Sequence, residues 1–345
     1  MARRTAKGIS LALQGGGAHG AFTWGVLDRL LQEDGLVVSG ISGTSAGAMN
    51  AVVLASGLAK GGLEEARSAL SQFWRDVSRE GHLSPIQRSA FDRLLGSWSL
   101  AKNPAYLAFE VASRFLSPYD FNPLNINPLK DILTAHVDFD AIRASDVQVF
   151  VSATNVRTGR ARIFGHDEMS AEAVMASACL PQLFQAVEID GVPYWDGGYM
   201  GNPPLFPLYE KVEAEDIVLV QINPVLREET PRTAAEIQNR INEITFNASL
   251  LAQLRAIDYM GRLVEGGLLK RKLLGDSSFR RVRLHRIGGE DQLAGFDLSS
   301  KLNPEWAFLQ HLRDLGRESA DAFLAAHMGD IGTRSTLDLK LELAD

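Results

Sequence analysis

Apolar runs and glycine-rich turns alternate at the start of the chain. Ile9 to Leu13 has the pattern of a buried strand, Gln14 and three glycines follow, and from Ala18 to Leu31 the residues Phe22, Val26, Leu27 and Leu30 recur at helical spacing. The order then repeats: Val37 to Ile41 reads as a strand, Ser42 to Ser45 as a turn, and Ala46 to Leu58 as an apolar, alanine-rich helix. Two strand, turn and helix units in succession predict parallel strands joined by right-handed crossovers, with the ligand site at the carboxyl ends of the strands. Both glycine loops fall at that edge, so the chemistry is expected there.

Further along, helical patterns carrying Phe73, Trp74, Trp98, Tyr106, Phe109 and Phe115 are broken by Pro85, Pro104, Pro118, Pro123 and Pro128. This stretch, about 62–130, is expected to be a helical cap inserted between strands. Val147 to Ala153 and Arg160 to Phe164 read as a strand pair, and Val187 to Ile189 with Val192 to Trp195 flank an Asp190-Gly191 hairpin turn. Ile217 to Ile222 is another buried strand. From Thr233 to Val264, the residues Ile237, Ile241, Ile244, Leu251, Leu254 and Ile257 trace one face of a long helix, suited to packing on the sheet or to a homodimer seam. The expected organisation is an α/β domain over 7–225, a helical and basic extension over 226–329 packing on it, and a loose tail over 330–345.

With 345 residues, 46% of them hydrophobic, the chain has material for a large core. A net charge of -7 and a pI near 5.6 argue against nucleic acid as a partner, because phosphate contacts require a broad basic surface. The single Cys179 excludes an internal disulfide framework and a multi-cysteine zinc site, which makes the reducing cytoplasm the default location. No signal segment is legible after the basic start, and no run reaches the roughly 18–20 apolar residues of a spanning helix. A peripheral place at the inner membrane face remains open. Lys270, Arg271, Lys272, Arg280, Arg281, Arg283 and Arg286 form a concentrated basic stretch, suited to anionic headgroups or simply to solvent.

The first loop, Gly15-Gly16-Gly17-Ala18-His19-Gly20, fits a dinucleotide fingerprint. The second strand, however, ends without the acidic residue that would hold a ribose, and no Lys with Ser or Thr follows Gly20 to make a phosphate loop. Gly15, Gly16 and Gly17 at a helix start instead offer unshielded backbone N–H groups, the makings of an oxyanion hole. In the second loop Gly43 and Gly47 flank Ser45, the spacing of a nucleophile elbow. For its base there are two sources. His285, His311 and His327 are the late histidines that a triad would draw on, and Asp196 closes an apolar strand ahead of Gly197 and Gly198. No cofactor or metal is required by either arrangement.

Taken together, the Gly-Gly-Gly-X-X-Gly loop, the Gly-X-Ser-X-Gly elbow and Asp196-Gly197-Gly198 resemble the patatin-like phospholipases. Further matches are Ala153-Thr154-Asn155, the run Ala176 to Pro181, and Asn202-Pro203. The resemblance implies a three-layer α/β fold with a mostly parallel central sheet and cleavage of lipid acyl esters by a serine/aspartate dyad. It assigns Ser45 as nucleophile, Asp196 as general base and Gly15 to Gly17 as oxyanion hole. The chain departs from many members at His19, where they carry Arg or Lys.

Overall fold

The structure is a computed structural model that describes residues 6–81, 87–88, 97–113, 115–265 and 282–343. Strand β1 (Lys7–Leu13) is followed by a 3-10 turn (Gly17–His19) and helix α1 (Gly20–Leu30); β2 (Leu36–Gly43) then pairs in parallel with β1 and runs into helix α2 (Ala46–Gly81). Next come α3 (Pro104–Ala112), α4 (Pro118–Phe121), α5 (Pro128–His136) and α6 (Phe139–Arg143). The sheet continues through β3 (Gln148–Asn155), parallel to β2, and β4 (Ala161–Phe164), antiparallel to β3. After α7 (Ala171–Ser177), the hairpin of β5 (Val187–Ile189) and β6 (Val192–Asp196) joins β3 antiparallel. Helix α8 (Phe206–Lys211), β7 (Asp216–Gln221), α9 (Ala234–Glu265), β8 (Arg283–Gly288), α10 (Glu290–Leu293), α11 (Trp306–His327) and α12 (Leu339–Glu342) complete the chain. In space the strands run β5-β6-β3-β2-β1-β7-β8, with β4 also on β3.

Alternation along the central strands sets the three layers, because successive side chains leave opposite faces. Ile9, Leu11 and Leu13 with Val218 and Val220 meet α1, α2 and α11 on one face. Ala12, Ile217 and Leu219 meet Leu208 of α8 and Leu250 and Leu254 of α9 on the other. The expected α/β fold, a mostly parallel sheet between helices, is the one observed. The hairpin turn is also as read, with Asp190 at φ 52° and Gly191 at φ 72°.

Three expectations require correction. Residues beyond Gly62 do not open the cap: φ 74° at Gly62 bends the helix, but Ala66, Leu70, Phe73 and Trp74 return to the main core. Trp74 Nε1 donates to Asn50 Oδ1 at 3.0 Å, tying this second half of α2 to the first. The projecting part of the cap is narrower, α3 and α4 with the loop to Asn127, and it buries little of its own apolar surface. Second, α9 packs through Phe246, Leu250 and Leu254, while Ile237, Ile241 and Ile244 lie exposed on another face. Third, the tail is built into the fold. Ile331 and Leu337 are buried, and the N–H groups of Thr336 and Leu337 donate to the Leu284 carbonyl of β8.

Candidate active site

β2 ends in a turn so tight that two of its positions exclude a side chain. A Cβ on Gly43 would lie 2.4 Å from the Gly47 carbonyl oxygen, and one on Gly47 would lie 2.2 Å from that of Leu13. Between them Ser45 takes φ 55°, a left-handed conformation that costs a non-glycine residue about 1–3 kcal/mol and that gathers at functional sites. The turn leaves Ser45 only 8% exposed and places it at the start of α2, where the helix dipole favours negative charge. Its N–H donates to Ser177 Oγ, at the end of α7, at 2.9 Å.

Asp196 is the last residue of β6, opposite Ala153 of β3, and is wholly buried. The backbone on both sides is pinned: its N–H donates to the Cys179 carbonyl at 2.8 Å, and Thr154 Oγ1 donates to its carbonyl at 2.8 Å. Asp196 Oδ1 accepts the Gly198 N–H at 2.7 Å. Oδ2 has no hydrogen-bond partner, and the nearby Ser45 hydroxyl favours the ionised form of the carboxyl. Gly198 has room for no more than hydrogen, because a Cβ would lie 2.3 Å from the Phe246 ring. Burial pushes the Asp196 carboxyl up to about 7, against the Gly198 N–H, the Ser45 hydroxyl and the charge of Lys301, which all favour the ionised form. The structure thus brings Ser45 and Asp196 together from positions 151 residues apart in sequence.

The glycine loop lies beside them, since a Cβ on Gly15 would meet Ser45 Cβ at 2.8 Å. Its three amides are not equivalent. Gly15 N–H is already committed to Asn202 Oδ1 at 2.6 Å, whereas the N–H groups of Gly16 and Gly17 have no partner among the described residues. His19 Nε2 bonds Ser300 Oγ at 2.8 Å between the rings of Phe296 and Phe308, and burial, with the charge of Lys301, lowers the imidazole to about 3. It is a neutral packing group.

The late histidines are elsewhere. His285 is buried in β8 with Nε2 2.9 Å from Asp216, which lies at the amino-terminal end of β7, opposite to the edge carrying Ser45. His311 stacks on Trp98, and His327 closes α11 beside Asp330. His82 falls outside the described residues. Burial pushes the Cys179 thiol up to about 12, so it offers no thiolate. Among the described residues no cluster of His, Cys, Asp and Glu is placed to hold a metal ion.

The family model for patatin-like phospholipases matches residues 11–209, more than half of the chain and every one of these loops. The chain belongs to the patatin-like phospholipase family. A curated relative, the cGAMP-activated phospholipase of Pseudomonas aeruginosa, is 29% identical over 215 residues, which are 58% of this chain and 55% of that protein. The chain therefore spans about half the length of the relative. Among solved structures, VipD from Legionella pneumophila aligns over 94% of this chain and 67% of its own, at 16% identity and a TM-score of 0.43. The type III effector protein ExoU aligns over 94% and 53%, at 15% identity and a TM-score of 0.33. Both are distant likenesses.

Part of the site of this patatin-like domain lies beyond the matched residues. Asn223, just after β7, donates from Nδ2 to the Gly15 carbonyl at 2.8 Å and to Gln14 Oε1 at 3.1 Å. Phe246 of α9 covers Gly198, and Lys301 reaches Asn223 from the 3-10 turn Leu298–Leu302. Sequence reasoning missed all three. The one available signal was Asn223-Pro224 directly after a buried strand, at the edge where parallel sheets carry their ligands. Of the basic stretch, Lys270, Arg271, Lys272, Arg280 and Arg281 lie outside the described residues; Arg283 pairs with Asp216 and Glu215, and Arg286 with Glu342.

Proposed function

We propose that the chain is a lipid acyl hydrolase in which Ser45 is the nucleophile, Asp196 the general base, and the uncommitted amides of Gly16 and Gly17 the oxyanion donors. The observation that carries this reading is a serine held on a strained elbow beside a wholly buried aspartate, whose carboxyl burial pushes up to about 7. Ser45 Oγ bonds to the ester carbonyl carbon as its proton passes to Asp196, and the electron pair of the carbonyl moves onto oxygen, stabilised by the glycine amides. Collapse breaks the bond to the alcohol, whose oxygen takes the proton from Asp196. Water then attacks the acyl carbon, passes a proton to Asp196, and Ser45 Oγ leaves with that proton as the fatty acid is released. A base titrating near 7 accepts and returns protons at neutral pH with little cost in either direction. Each oxyanion donor contributes about 3–4 kcal/mol to such a step.

Purified protein assayed on phospholipids, lysophospholipids and short p-nitrophenyl esters tests the proposal. cGAMP belongs in a parallel arm, because it is the activator in the name of the Pseudomonas relative. Fatty acid release is expected, with its loss in both Ser45→Ala and Asp196→Ala; near-normal turnover in Asp196→Ala would sink the dyad. A preference for storage polyesters or soluble esters over every phospholipid would reassign the substrate within the same chemistry.

The cap supports access to a lipid surface. Among the described residues no helix is long and apolar enough to cross a membrane. Phe115 and Leu124 are 83% and 81% exposed, and Leu107, Val111, Tyr119 and Ile126 stand beside them on the same projecting segment. Gln185 Nε2 donates to the Asn122 carbonyl at 2.8 Å, which anchors this segment to the loop following Cys179, the residue that pins Asp196. The occupant proposed for the patch is a bilayer surface, entered by apolar contact. Wild-type protein is expected to float with phosphatidylcholine vesicles at high salt and Phe115→Ser with Leu124→Ser to remain at the bottom; absent wild-type flotation, or an unaffected variant, would contradict it.

A further inference from the structure

Lys301 is the ammonium that the fold brings to the back of the glycine loop. Its Nζ donates to Asn223 Oδ1 at 2.9 Å and to Asn242 Oδ1 at 2.8 Å, and stands 5.7 Å from the centre of the Phe246 ring. The side chain is half-buried, and its ammonium is held by two asparagine side chains. Asn223 passes the contact on, since its Nδ2 grips the Gly15 carbonyl. The Lys301 main chain touches the same loop: a Cβ on Gly17 would lie 2.4 Å from the Lys301 carbonyl oxygen. Phe246, under the ammonium, is the ring that leaves Gly198 no side chain and so sets the turn holding Asp196 Oδ1. One residue thus meets the glycine loop directly and the Asp196 turn through Phe246, from a position 105 residues after Asp196.

We propose that Lys301 is a positioning residue for the hydrolysis, aiming the Gly16 and Gly17 amides through Asn223 and holding Asp196 in its proton-accepting form by charge. The proposal rests on the Ser45 and Asp196 reading above. Among the described residues, Asp297 lines the same recess as Lys301, Arg227 and Glu243. Asp196 and Glu243 attract Lys301, Arg227 repels it, Arg240 shares Glu243 with Arg227, and His19 is held neutral. Burial and Arg227 bring the ammonium down to about 8, against the pull of Glu243 and Asp196. Two limbs follow in the pH profile of kcat. Activity rises as Asp196 loses its proton near 7 and falls as Lys301 loses its own near 8, with the apparent values belonging to the coupled set.

The test compares Lys301→Gln, Lys301→Met and Lys301→Arg in the full chain, with kcat and KM on a soluble ester followed from pH 5 to 10. Lys301→Gln keeps a donor for Asn223 and discards the charge, so it separates the two roles and remains available should Lys301→Met not fold. The expected result for both neutral variants is a fall in kcat of about 10- to 100-fold with KM little changed. Their acid limb moves to higher pH, because Asp196 has lost a positive neighbour, and their alkaline limb disappears. Lys301→Arg should recover most of kcat and carry the plateau to higher pH. An acid limb at its wild-type position in folded Lys301→Gln would overturn the proposal, since a purely structural brace would lower the rate without moving it. An inactive wild type, or full activity in Ser45→Ala, would instead count against the dyad.

Discussion

Replacing Asp196 by asparagine separates the catalytic use proposed for this carboxyl from its cost to the fold. Asparagine preserves the shape and can still accept the Gly198 N–H now held at 2.7 Å, but it can neither take the Ser45 proton nor become charged. Loss of a general base of this kind lowers kcat by about 100- to 10,000-fold. Stability should move the other way. The folded-state pKa is raised from 3.8 to about 7, so the folded protein keeps a proton that the unfolded chain has released. This contribution is present below pH 3.8, is lost progressively as pH rises, and has gone by about pH 7. At about 1.4 kcal/mol per unit the loss is about 4 kcal/mol, with the opposing pull of the Lys301 ammonium already contained in the value of about 7. The asparagine variant avoids it. Urea unfolding followed by tryptophan fluorescence at several pH values is the assay, with hydrolysis measured in parallel. The variant is expected to match wild type near pH 4 and to exceed it by about 2–4 kcal/mol at pH 8. A difference that does not vary with pH, or hydrolysis within tenfold of wild type, would refute the reasoning.

Gly47→Ala places a methyl group 2.2 Å from the Leu13 carbonyl oxygen, so the elbow must shift; a loss of about 1–3 kcal/mol in unfolding free energy and most of the ester hydrolysis is expected. His285→Leu leaves the buried Asp216 carboxylate short of a partner at the far end of the sheet. With Arg283 and the Gly332 N–H still on that carboxylate, it should lower stability by about 1–3 kcal/mol while the kcat of the folded fraction stays within twofold, and a selective loss of kcat would revive a histidine base.

Much of the site was legible because its constraints are local. A strand, a glycine and a serine must adjoin for an elbow to form, and Gly43, Ser45 and Gly47 do so within five positions. Asp196 stood out for the same reason, at a strand end with two glycines after it. The supports were hidden by distance. Asn202, Asn223, Phe246 and Lys301 act through side chains that meet the loops only in space, and a buried asparagine or lysine has no periodic signature. The loop also divides its amides in a way that composition cannot express, since Asn202 occupies Gly15 N–H and leaves Gly16 and Gly17. In the fold, Ile237, Ile241 and Ile244 mimic a packing face at helical spacing. The true face of α9 mixes Phe246, Leu250 and Leu254 with Asn247 and Gln253, whose amides bond to the loops beneath and dilute the apolar pattern. Gly62 reads as a helix end, yet the apolar residues at 66, 70, 73 and 74 resume the spacing that the core requires.

The central claim is that Ser45 is the nucleophile, and covalent trapping addresses it directly. Incubation with a fluorophosphonate, followed by proteolysis and mass spectrometry, is expected to place one phosphonyl adduct on the peptide containing Ser45. Labelling should be lost in Ser45→Ala and slowed at least 100-fold in Asp196→Asn, because the same proton transfer activates the attack. An adduct on any other serine, or undiminished labelling of Ser45→Ala, would contradict it.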